Sequence, residues 1–215
     1  MSKTIFDITM SLDGYVAGPN QSRENGLGEG GEALHEWALA TAAFQEAHGR
    51  SGGERNRDSE IMAEMAAPGA EIMGRGKFGG GKGPWGSDPS FGENWQGWWG
   101  EEPPFHKPVF VLTHHEREPL TLSDTTFTFV TDGIESALEQ AREAAGDKDV
   151  YVGGGAKTIQ QYLGAGLIDE FQVHISPMML GAGERLFDNL ERVPEVELIR
   201  TVESPAATHL KYRVL

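Results

Sequence analysis

Residues 149–187 read DVYVGGGAKTIQQYLGAGLIDEFQVHISPMMLGAGERLF, and this stretch decides the fold. The apolar run Val150–Val152 predicts a short strand, Gly153–Gly155 break it, and Thr158–Leu163 follow with helical spacing. Glycines let a backbone approach an anion closely, and the first N–H groups of a helix point at that anion with the positive end of the helix dipole behind them. The stretch therefore predicts a phosphate-binding turn, for which a nucleotide cofactor is the first ligand to consider.

Length and composition limit the classes of protein that this chain can belong to. Its 215 residues suit one domain over 1–215, with loop-rich segments at 19–58 and 76–104. A formal net charge of −15 argues against nucleic-acid and acidic-membrane partners, and the absence of cysteine excludes thiolate metal sites and cysteine nucleophiles. No apolar run approaches the roughly 20 residues that span a bilayer. We therefore expect a soluble, cytoplasmic protein.

Strand patterns alternate with helical patterns along the chain. Apolar residues at three- and four-residue steps predict an amphipathic helix over 33–47, and Asp132 with Glu135 three residues on predicts a second, capped helix. The segments 195–203 and 207–215 read as a closing antiparallel hairpin. This alternation predicts an α/β fold with a mixed, mostly parallel sheet that is covered on both faces.

Four of the predicted strands end in unusual chemistry, namely at Asp13-Gly14, Gly74-Arg75, Thr113-His114-His115 and Gly153–Gly155. Ligands of such sheets bind beyond the carboxyl ends of the strands, so we expect the four ends to converge on one cleft. A Rossmann domain would place its glycine turn after the first strand and an acidic residue about 20 residues later. Here the glycines come late, and Asp169-Glu170 begins a strand, so the Rossmann interpretation fails.

Motifs spread over nearly the whole chain carry a more specific resemblance. They are Ser11–Gly14, Gly74–Gly76, Val111–Thr113, Val152–Gly154, Gly166–Glu170, Pro177 and Gly181–Gly183. In this order and spacing they resemble the dihydrofolate-reductase-like superfamily, specifically the branch of the riboflavin-biosynthesis reductase domain, similar to the RibD C-terminal domain. The resemblance implies a three-layer α/β/α fold with a sheet of about eight strands, NADPH as hydride donor, and a homodimer.

The same resemblance implies roles for individual residues. The cofactor-binding set would be Val16, Ala17, Gly74, Arg75, Gly76, Lys77, Thr113, His114, His115, Val152, Gly153, Gly154, Gly155, Ala156 and Thr158. Within this set, the glycine turn would contact the pyrophosphate, Thr113–His115 would lie near the adenosine 2′-phosphate, and Val16 with Ala17 near the nicotinamide. Asp13 would be the catalytic and substrate-binding residue at the mouth of the substrate pocket, with Tyr15 beside it.

Elementary chemistry agrees with these roles. A cofactor with several phosphate charges in a protein of net charge −15 needs local cations, for which Arg75 and Lys77 are candidates. Hydride transfer is the chemistry of the cofactor, and the protein must hold the nicotinamide against an electrophilic carbon and manage one proton. The Asp13 carboxylate is suited to orient an amino or imino group of a heterocycle, or to relay that proton.

Each candidate also has a purely structural interpretation. The glycine triplet is also compatible with a plain strand-to-helix turn, Asp13-Gly14 with a turn former, and Arg75 with a surface ion pair. Adjacent residues on a strand point to opposite faces, so His114 and His115 do not predict a shared metal, and we expect no metal site. The group Trp95, Trp98 and Trp99 is more typical of a satellite core or a dimer contact than of a stacking platform.

Two departures from the family pattern affect the expected substrate. Reductases of the riboflavin pathway usually carry a basic residue after the Asp-Gly pair, where this chain has Tyr15, and a threonine where this chain has Lys77. We expect an NADPH-dependent reductase of a small heterocycle, similar to 5-amino-6-(5-phosphoribosylamino)uracil reductase and without a zinc deaminase domain. A dihydrofolate or pterin reductase is the alternative enzyme, and a non-catalytic nucleotide- or drug-binding protein is the alternative of another class.

Overall fold

A computed structural model describes residues 2–65, 67–190 and 192–215. The chain divides into two compact units, each built from two segments. Unit 1 comprises Met1–Phe6 and Pro68–Leu167, and unit 2 comprises Asp7–Ala67 and Ile168–Leu215. That the whole chain acts as one domain stays a prediction.

Strands and helices alternate along much of the chain, as the α/β prediction requires. The strands are β1 (Thr4–Ser11), β2 (Tyr15–Ala17), β3 (Ala70–Gly74), β4 (Pro108–Leu112), β5 (Leu120–Leu122), β6 (Thr125–Val130), β7 (Val150–Val152), β8 (Glu170–Ser176), β9 (Glu184–Arg185), β10 (Val196–Glu203) and β11 (Thr208–Val214). The helices are a 3-10 helix (Gly31–His35), α1 (Glu36–Leu39), α2 (Ala42–Ala47), α3 (Arg57–Glu64), α4 (Arg75–Phe78), α5 (Ile134–Ala145) and α6 (Ala156–Gly164).

Unit 1 contains a mostly parallel arrangement of strands in the order β1-β7-β3-β4-β6-β5, of which only β5 runs antiparallel to its neighbour. Every residue of β3 is buried, as expected of a strand covered on both faces. Helix α5 packs on β3 and β4, and α6 packs on β3. One core cluster is formed by Met73, Phe78, Val109, Val111 and Phe127.

Unit 2 contains strands in the order β10-β11-β8-β1, with β11 antiparallel to both β10 and β8. Strand β1 is common to both orders, because its residues Thr4–Phe6 belong to unit 1 and the rest to unit 2. A separate two-stranded ladder pairs β2 with β9. The C-terminal antiparallel hairpin predicted from the sequence is thus confirmed. Over the described residues, the mixed sheet has nine strands where about eight were expected.

The helix predicted over 33–47 is wrong as a single element. The segment forms the 3-10 helix, α1 and α2, because the Thr41 hydroxyl donates to Ala38 O at 2.7 Å and accepts from Phe44 N–H at 3.1 Å. Thr41 thereby ends one helical segment and caps the next, in an extended conformation.

The predicted cap of α5 is also wrong. The residue at the N-cap is Gly133, with φ of 100°, and Asp132 lies one position outside the helix. Gly146 ends α5 as predicted, with φ of 61°, a conformation that glycine adopts without a Cβ penalty.

Candidate functional site

Three of the four predicted strand ends lie together in unit 1. Strands β7, β3 and β4 are parallel neighbours, so their carboxyl ends meet at one edge, with Gly74 paired to Leu112. The Gly74 N–H donates to Gly154 O at 2.8 Å, which ties the glycine turn to the end of β3. The fourth end, at Asp13, belongs to unit 2, and its convergence with the other three stays a prediction.

The glycine turn joins β7 directly to α6. Val152 is the buried last residue of β7, and Gly155 occupies the N-cap of α6 without a side-chain hydrogen bond. A Cβ at Gly155 would meet nothing within 4 Å, so open space lies in front of this helix N-terminus. The Gly154–Gly155 peptide bond is cis. Exposed backbone before a nine-residue helix is an arrangement that suits a phosphate group.

Close packing explains why glycine stands at the end of β3. A Cβ at Gly74 would lie 2.3 Å from Thr158 Oγ1, so only glycine lets α6 approach this strand. Thr158 and Ala156 are both buried in the first turn of α6. Gly76 differs from Gly74, because a Cβ there would meet nothing within 4 Å.

Arg75 uses its guanidinium to hold the loop that follows. Nη1 donates to Gly83 O at 2.6 Å and Nη2 to Gly80 O at 3.1 Å, and the guanidinium carbon lies 3.8 Å from the ring centroid of Trp85. Burial, with the nearby Arg117 as a second cause, lowers the pKa of Arg75, and its Nε is buried without a partner. Arg75 therefore orders the loop after α4 instead of forming the surface ion pair considered from the sequence.

Lys77 pairs with a buried carboxylate. Its Nζ lies 2.9 Å from Glu71 Oε1, and the Glu71 side chain is only 6% exposed. Gly153 lies against this pair, since a Cβ there would come within 2.2 Å of Glu71 Oε1 and 2.7 Å of Lys77 Nζ. Much of the Lys77 charge therefore compensates Glu71, and less of it is available to a phosphate bound at this edge.

The turn after β4 is fixed by Thr113. Its buried hydroxyl accepts the His115 N–H at 3.2 Å, and His115 O accepts the Trp85 indole N–H at 2.9 Å. His114 is exposed on this turn. Among the residues that the structure describes, no group of three or more His, Cys, Asp or Glu side chains is arranged to hold a metal.

The tryptophans of the loop after α4 belong to a satellite core in unit 1. Trp85, Trp95 and Trp99 pack against the cluster around Phe78, and Trp95 donates its indole N–H to Phe78 O at 2.9 Å. Trp98 lies beside Trp95, with ring centroids 4.8 Å apart. This agrees with the satellite-core interpretation of the group.

Asp13 lies in the turn two residues beyond the end of β1, in unit 2, and its carboxylate accepts hydrogen bonds from Ser11, Leu180 and Gly181. Oδ1 accepts the Ser11 hydroxyl at 2.6 Å and Leu180 N–H at 3.1 Å, and Oδ2 accepts Gly181 N–H at 2.7 Å. The Ser11 hydrogen bond is the main cause that lowers the pKa of Asp13 to about 2. A carboxylate this acidic stays ionised near neutral pH, so it accepts hydrogen bonds and does not serve as a proton donor.

Tyr15, Val16 and Ala17 form β2, a strand that the sequence does not reveal. Val16 and Ala17 are buried, and Tyr15 pairs across the ladder with Arg185 of β9. The Arg185 guanidinium carbon lies 5.0 Å from the Tyr15 ring centroid, and a Cβ at Gly14 would lie 3.2 Å from Arg185 Nη2. A hydrogen bond with the Tyr15 side chain is the main cause that raises the pKa of Arg185.

The sequence analysis quoted Ser11 only as part of a motif, without a role in the site, and did not single out Arg185. Ser11 had a local signal, because it precedes Asp13 by two residues, the spacing of side chains on one face of a strand. Arg185 had none, because it reaches the Asp13-Gly14-Tyr15 segment only through the pairing of β2 with β9.

The mixed sheet with its C-terminal antiparallel pair defines an α/β protein with a dihydrofolate-reductase-like fold. The chain belongs to the family of the RibD C-terminal domain, whose model matches residues 2–210.

Solved structures with this fold align along nearly the whole chain. A candidate riboflavin biosynthesis protein from Shewanella sp. PV-4 has a TM-score of 0.63 at 24% identity, with 99% of each chain covered. The diaminohydroxyphosphoribosylaminopyrimidine deaminase/5-amino-6-(5-phosphoribosylamino)uracil reductase of Thermotoga maritima has a TM-score of 0.57 at 16% identity, covering 100% of this chain and 57% of that one. Dihydrofolate reductase from Enterococcus faecalis, complexed with NADP(H), has a TM-score of 0.54 at 12% identity, covering 99% and 96%.

A curated relative is the uncharacterized protein YyaP of Bacillus subtilis (strain 168). It is 27% identical over 106 residues, which cover 47% of this chain and 56% of YyaP. The chain thus matches little more than half the length of this relative. In the part of the chain that the structure describes, no helix is long and apolar enough to cross a membrane.

Proposed function

We propose that this protein is an NADPH-dependent reductase that transfers a hydride to a small heterocycle. The proposed substrate class is that of the phosphoribosylaminopyrimidines, as for 5-amino-6-(5-phosphoribosylamino)uracil reductase. Membership of the RibD C-terminal domain family supports the reductase class, and the shared fold with a dihydrofolate reductase complexed with NADP(H) supports the cofactor.

The observation that carries the proposal is the edge of unit 1 where β7, β3 and β4 end side by side. The open space at Gly155 before α6, and at Gly76 in α4, fits the approach of phosphate groups to the backbone. The residues that would hold the cofactor there are Gly74, Arg75, Gly76, Lys77, Thr113, His114, His115, Val152, Gly153, Gly154, Gly155, Ala156 and Thr158. Because Lys77 already neutralises Glu71, backbone N–H groups would supply most of the pyrophosphate contacts.

NADPH supplies the hydride when it is bound, and the residues of the chain position the reactants. Val16 and Ala17, buried in β2, would form the wall near the nicotinamide. Asp13, kept ionised by Ser11 and two backbone N–H groups, would accept a hydrogen bond from an amino or ring N–H of the heterocycle and orient it. Its low pKa favours this orienting role over proton relay.

Arg185 supports the phosphorylated substrate class. Relatives usually carry a cation directly after the Asp-Gly pair, and here Tyr15 occupies that position, with the Arg185 guanidinium beside it and beside Gly14. A guanidinium is a strong ligand for phosphate. We therefore include Tyr15 and Arg185 in the proposed substrate site.

The test is to mix the purified protein with NADPH and measure binding by fluorescence and turnover by the absorbance of the reduced nicotinamide. The candidate substrates are a phosphoribosylaminopyrimidine, dihydrofolate and a flavin. Oxidation of NADPH with the pyrimidine alone supports the proposal, and oxidation with dihydrofolate alone would replace it by the pterin reductase. Binding without turnover of any substrate indicates a non-catalytic binder, and failure to bind NADPH or NADH would overturn the central claim.

Asp13→Asn tests the role of the carboxylate. We expect turnover to fall far more than NADPH affinity, while the control Asp132→Asn, at an exposed position in unit 1, leaves both unchanged. Equal losses of turnover and cofactor affinity would contradict the assigned role.

The proposal extends to the state of the protein in the cell. Following the resemblance, we propose a cytoplasmic homodimer. Sedimentation equilibrium at several protein concentrations tests the dimer, and fractionation of cells that express the protein tests the location.

A further inference from the structure

Four side chains form a continuous hydrogen-bonded chain in the interior of unit 2. Asp7 of β1 contacts His174 Nε2 of β8, His174 Nδ1 lies 2.6 Å from His209 Nδ1 of β11, and His209 Nε2 lies 2.8 Å from Asp58 Oδ1 of α3. Both imidazoles are 1% exposed, and the side chains of Asp58 and Asp7 are 3% and 12% exposed. The order of the chain is therefore carboxylate, imidazole, imidazole, carboxylate.

The register of the strands holds the two imidazoles together. His174 and His209 are paired directly across β8 and β11, and the Trp37 ring covers both, at centroid distances of 4.4 and 4.9 Å. The charged groups acting on His209 are Asp58, Asp7 and His174. Gln172 donates to the second oxygen of Asp7 at 3.4 Å.

The three contacts of this chain fix its number of protons. Each contact joins two atoms that carry lone pairs, so each needs one proton between them. Two neutral imidazoles bring only two protons, and the third is an additional one. The third proton can be assigned to an imidazole or to a carboxyl group. In either case the four side chains share three protons between them and carry one net negative charge.

We propose that the Asp7–His174–His209–Asp58 chain takes up one proton when the protein folds, and that loss of this proton or gain of another weakens unit 2. Without the third proton, two imidazole lone pairs or a lone pair and a carboxylate would face each other in a buried site. With a fourth proton, two N–H groups would face each other at the Nδ1 contact. These four hydrogen-bonded side chains are thus a pH-sensitive element in the core of unit 2.

The two limbs of the pH dependence have opposite signs. The four hydrogen-bonded side chains of the folded state bind the additional proton more tightly than a histidine of the unfolded state, whose pKa is about 6.5. This proton therefore stabilises the folded state fully below about pH 6.5, and its stabilisation is lost as the pH rises through the pKa of the proton in the folded state. Burial lowers the pKa of His209, so the next proton binds the unfolded state more readily, and stability falls as pH drops below about 6.5. Stability should pass through a maximum between the two limbs.

The experiment is to measure the unfolding equilibrium constant of the full chain in urea across this pH range. Above neutral pH we expect unfolding to release up to one additional proton, which is up to about tenfold in the equilibrium constant per pH unit. Asp58→Asn keeps an acceptor for His209 and removes the charge that retains the proton, so its alkaline limb should flatten. The control substitution is His106→Gln, at an exposed histidine of unit 1. Made in both the wild type and Asp58→Asn, it should leave the difference between their alkaline limbs unchanged. Identical alkaline limbs in wild type and Asp58→Asn would overturn the proposal.

Nuclear magnetic resonance of the wild type gives a test that does not depend on a variant. With ¹⁵N-labelled histidine, we expect a far-downfield imidazole N–H signal, coupled to Nδ1, that is protected from solvent exchange at neutral pH. Spectra in which both buried imidazoles lack a proton on Nδ1 would overturn the proposal even if Asp58→Asn does not fold.

Discussion

Ser11 Oγ donates a 2.6 Å hydrogen bond to Asp13 Oδ1, and the same hydroxyl accepts the Tyr15 N–H at 2.9 Å. Ser11 is fully buried at the end of β1, so it links the core of unit 2 to the proposed substrate carboxylate. The Asp13 carboxylate in turn binds the N–H groups of Leu180 and Gly181. Asp13 is therefore both a charged group of the proposed site and the anchor of the loop that follows β8.

Ser11→Ala should raise the pKa of Asp13 from about 2 toward its ordinary value of 3.8, because the Ser11 hydroxyl is the largest cause of the shift. A carboxyl group with a lowered pKa in the folded state stabilises the fold at every pH above its pKa in the unfolded state. This stabilisation is lost as the pH falls through the pKa in the folded state. The loss of stability that Asp13 causes between pH 3.8 and about 2 should therefore become smaller in Ser11→Ala. The measurement is a ¹³C titration of the Asp13 carboxyl carbon. Ser11→Thr keeps the hydroxyl and serves as control, and an unchanged titration in Ser11→Ala would show that the backbone donors dominate.

Arg185→Gln should weaken binding of a phosphorylated substrate by roughly 10- to 100-fold in KM, the range of one charged hydrogen bond. The dephosphorylated substrate should be affected little, because the proposed role of Arg185 is to bind the phosphate. Steady-state kinetics with both substrates checks this, with Arg185→Lys as a variant that keeps the charge but not the paired donors. Equal losses for the two substrates would show that Arg185 acts only through its contacts with Tyr15 and Asp188.

Local sequence signals predicted much of the fold and of the unit 1 edge. The glycine triplet, the apolar run before it and the helical spacing after it all lie within a few residues, so β7 and α6 were found. The same holds for the C-terminal hairpin, whose strands adjoin a short turn. Arg185 depends instead on pairing between residues that are 170 positions apart, and single-sequence periodicity carries no information on such a pairing.

The partners of the predicted cations were also hidden from the sequence. Lys77 pairs with Glu71, which precedes it by six residues in a strand that reads as apolar, and Arg75 turns back onto backbone carbonyls. Backbone acceptors leave no trace in residue type. The sequence therefore identified charged residues near the proposed phosphate site, but not how much of their charge is already compensated.

Gly76→Ala should separate the cofactor role of this residue from its structural role. Gly76 is exposed in α4 with open space around the Cβ position, so alanine should leave stability unchanged or raise it by up to about 1 kcal/mol. NADPH affinity should fall, because the new methyl group would occupy space proposed for a phosphate. Fluorescence titration with NADPH and urea unfolding give the two readouts.

Gly74→Ala is the matched comparison for Gly76→Ala. Its Cβ would lie 2.3 Å from Thr158 Oγ1, so we expect a destabilisation of roughly 1–3 kcal/mol from overpacking. If Gly76→Ala keeps full affinity for NADPH, Gly76 does not contact the cofactor and must be removed from the proposed site.

Thr41 explains why the periodicity over 33–47 did not give one helix. Apolar spacing continues through this position, but the buried Thr41 hydroxyl bonds forward to Phe44 N–H and back to Ala38 O, and Thr41 also bridges to Glu54. A side chain that competes for backbone groups in this way breaks a helix that hydrophobic periodicity alone would extend. The Ala38–Thr41–Phe44 arrangement is thus a cap at a position where the sequence pattern predicts a helix interior.

Thr41→Ala should destabilise the protein by about 1–2 kcal/mol, because it removes the N-cap of α2 and the hydroxyl hydrogen bond to Ala38 O. Thr41→Ser keeps both hydrogen bonds and loses only a buried methyl group, so its cost should be smaller, about 0.8 kcal/mol. Urea unfolding of the two variants gives the comparison. Equal destabilisation by serine and alanine would mean that packing of the methyl group, and not the cap, holds this break in place. A stabilising effect of alanine would mean that the continuous helix predicted over 33–47 competes with the three short ones.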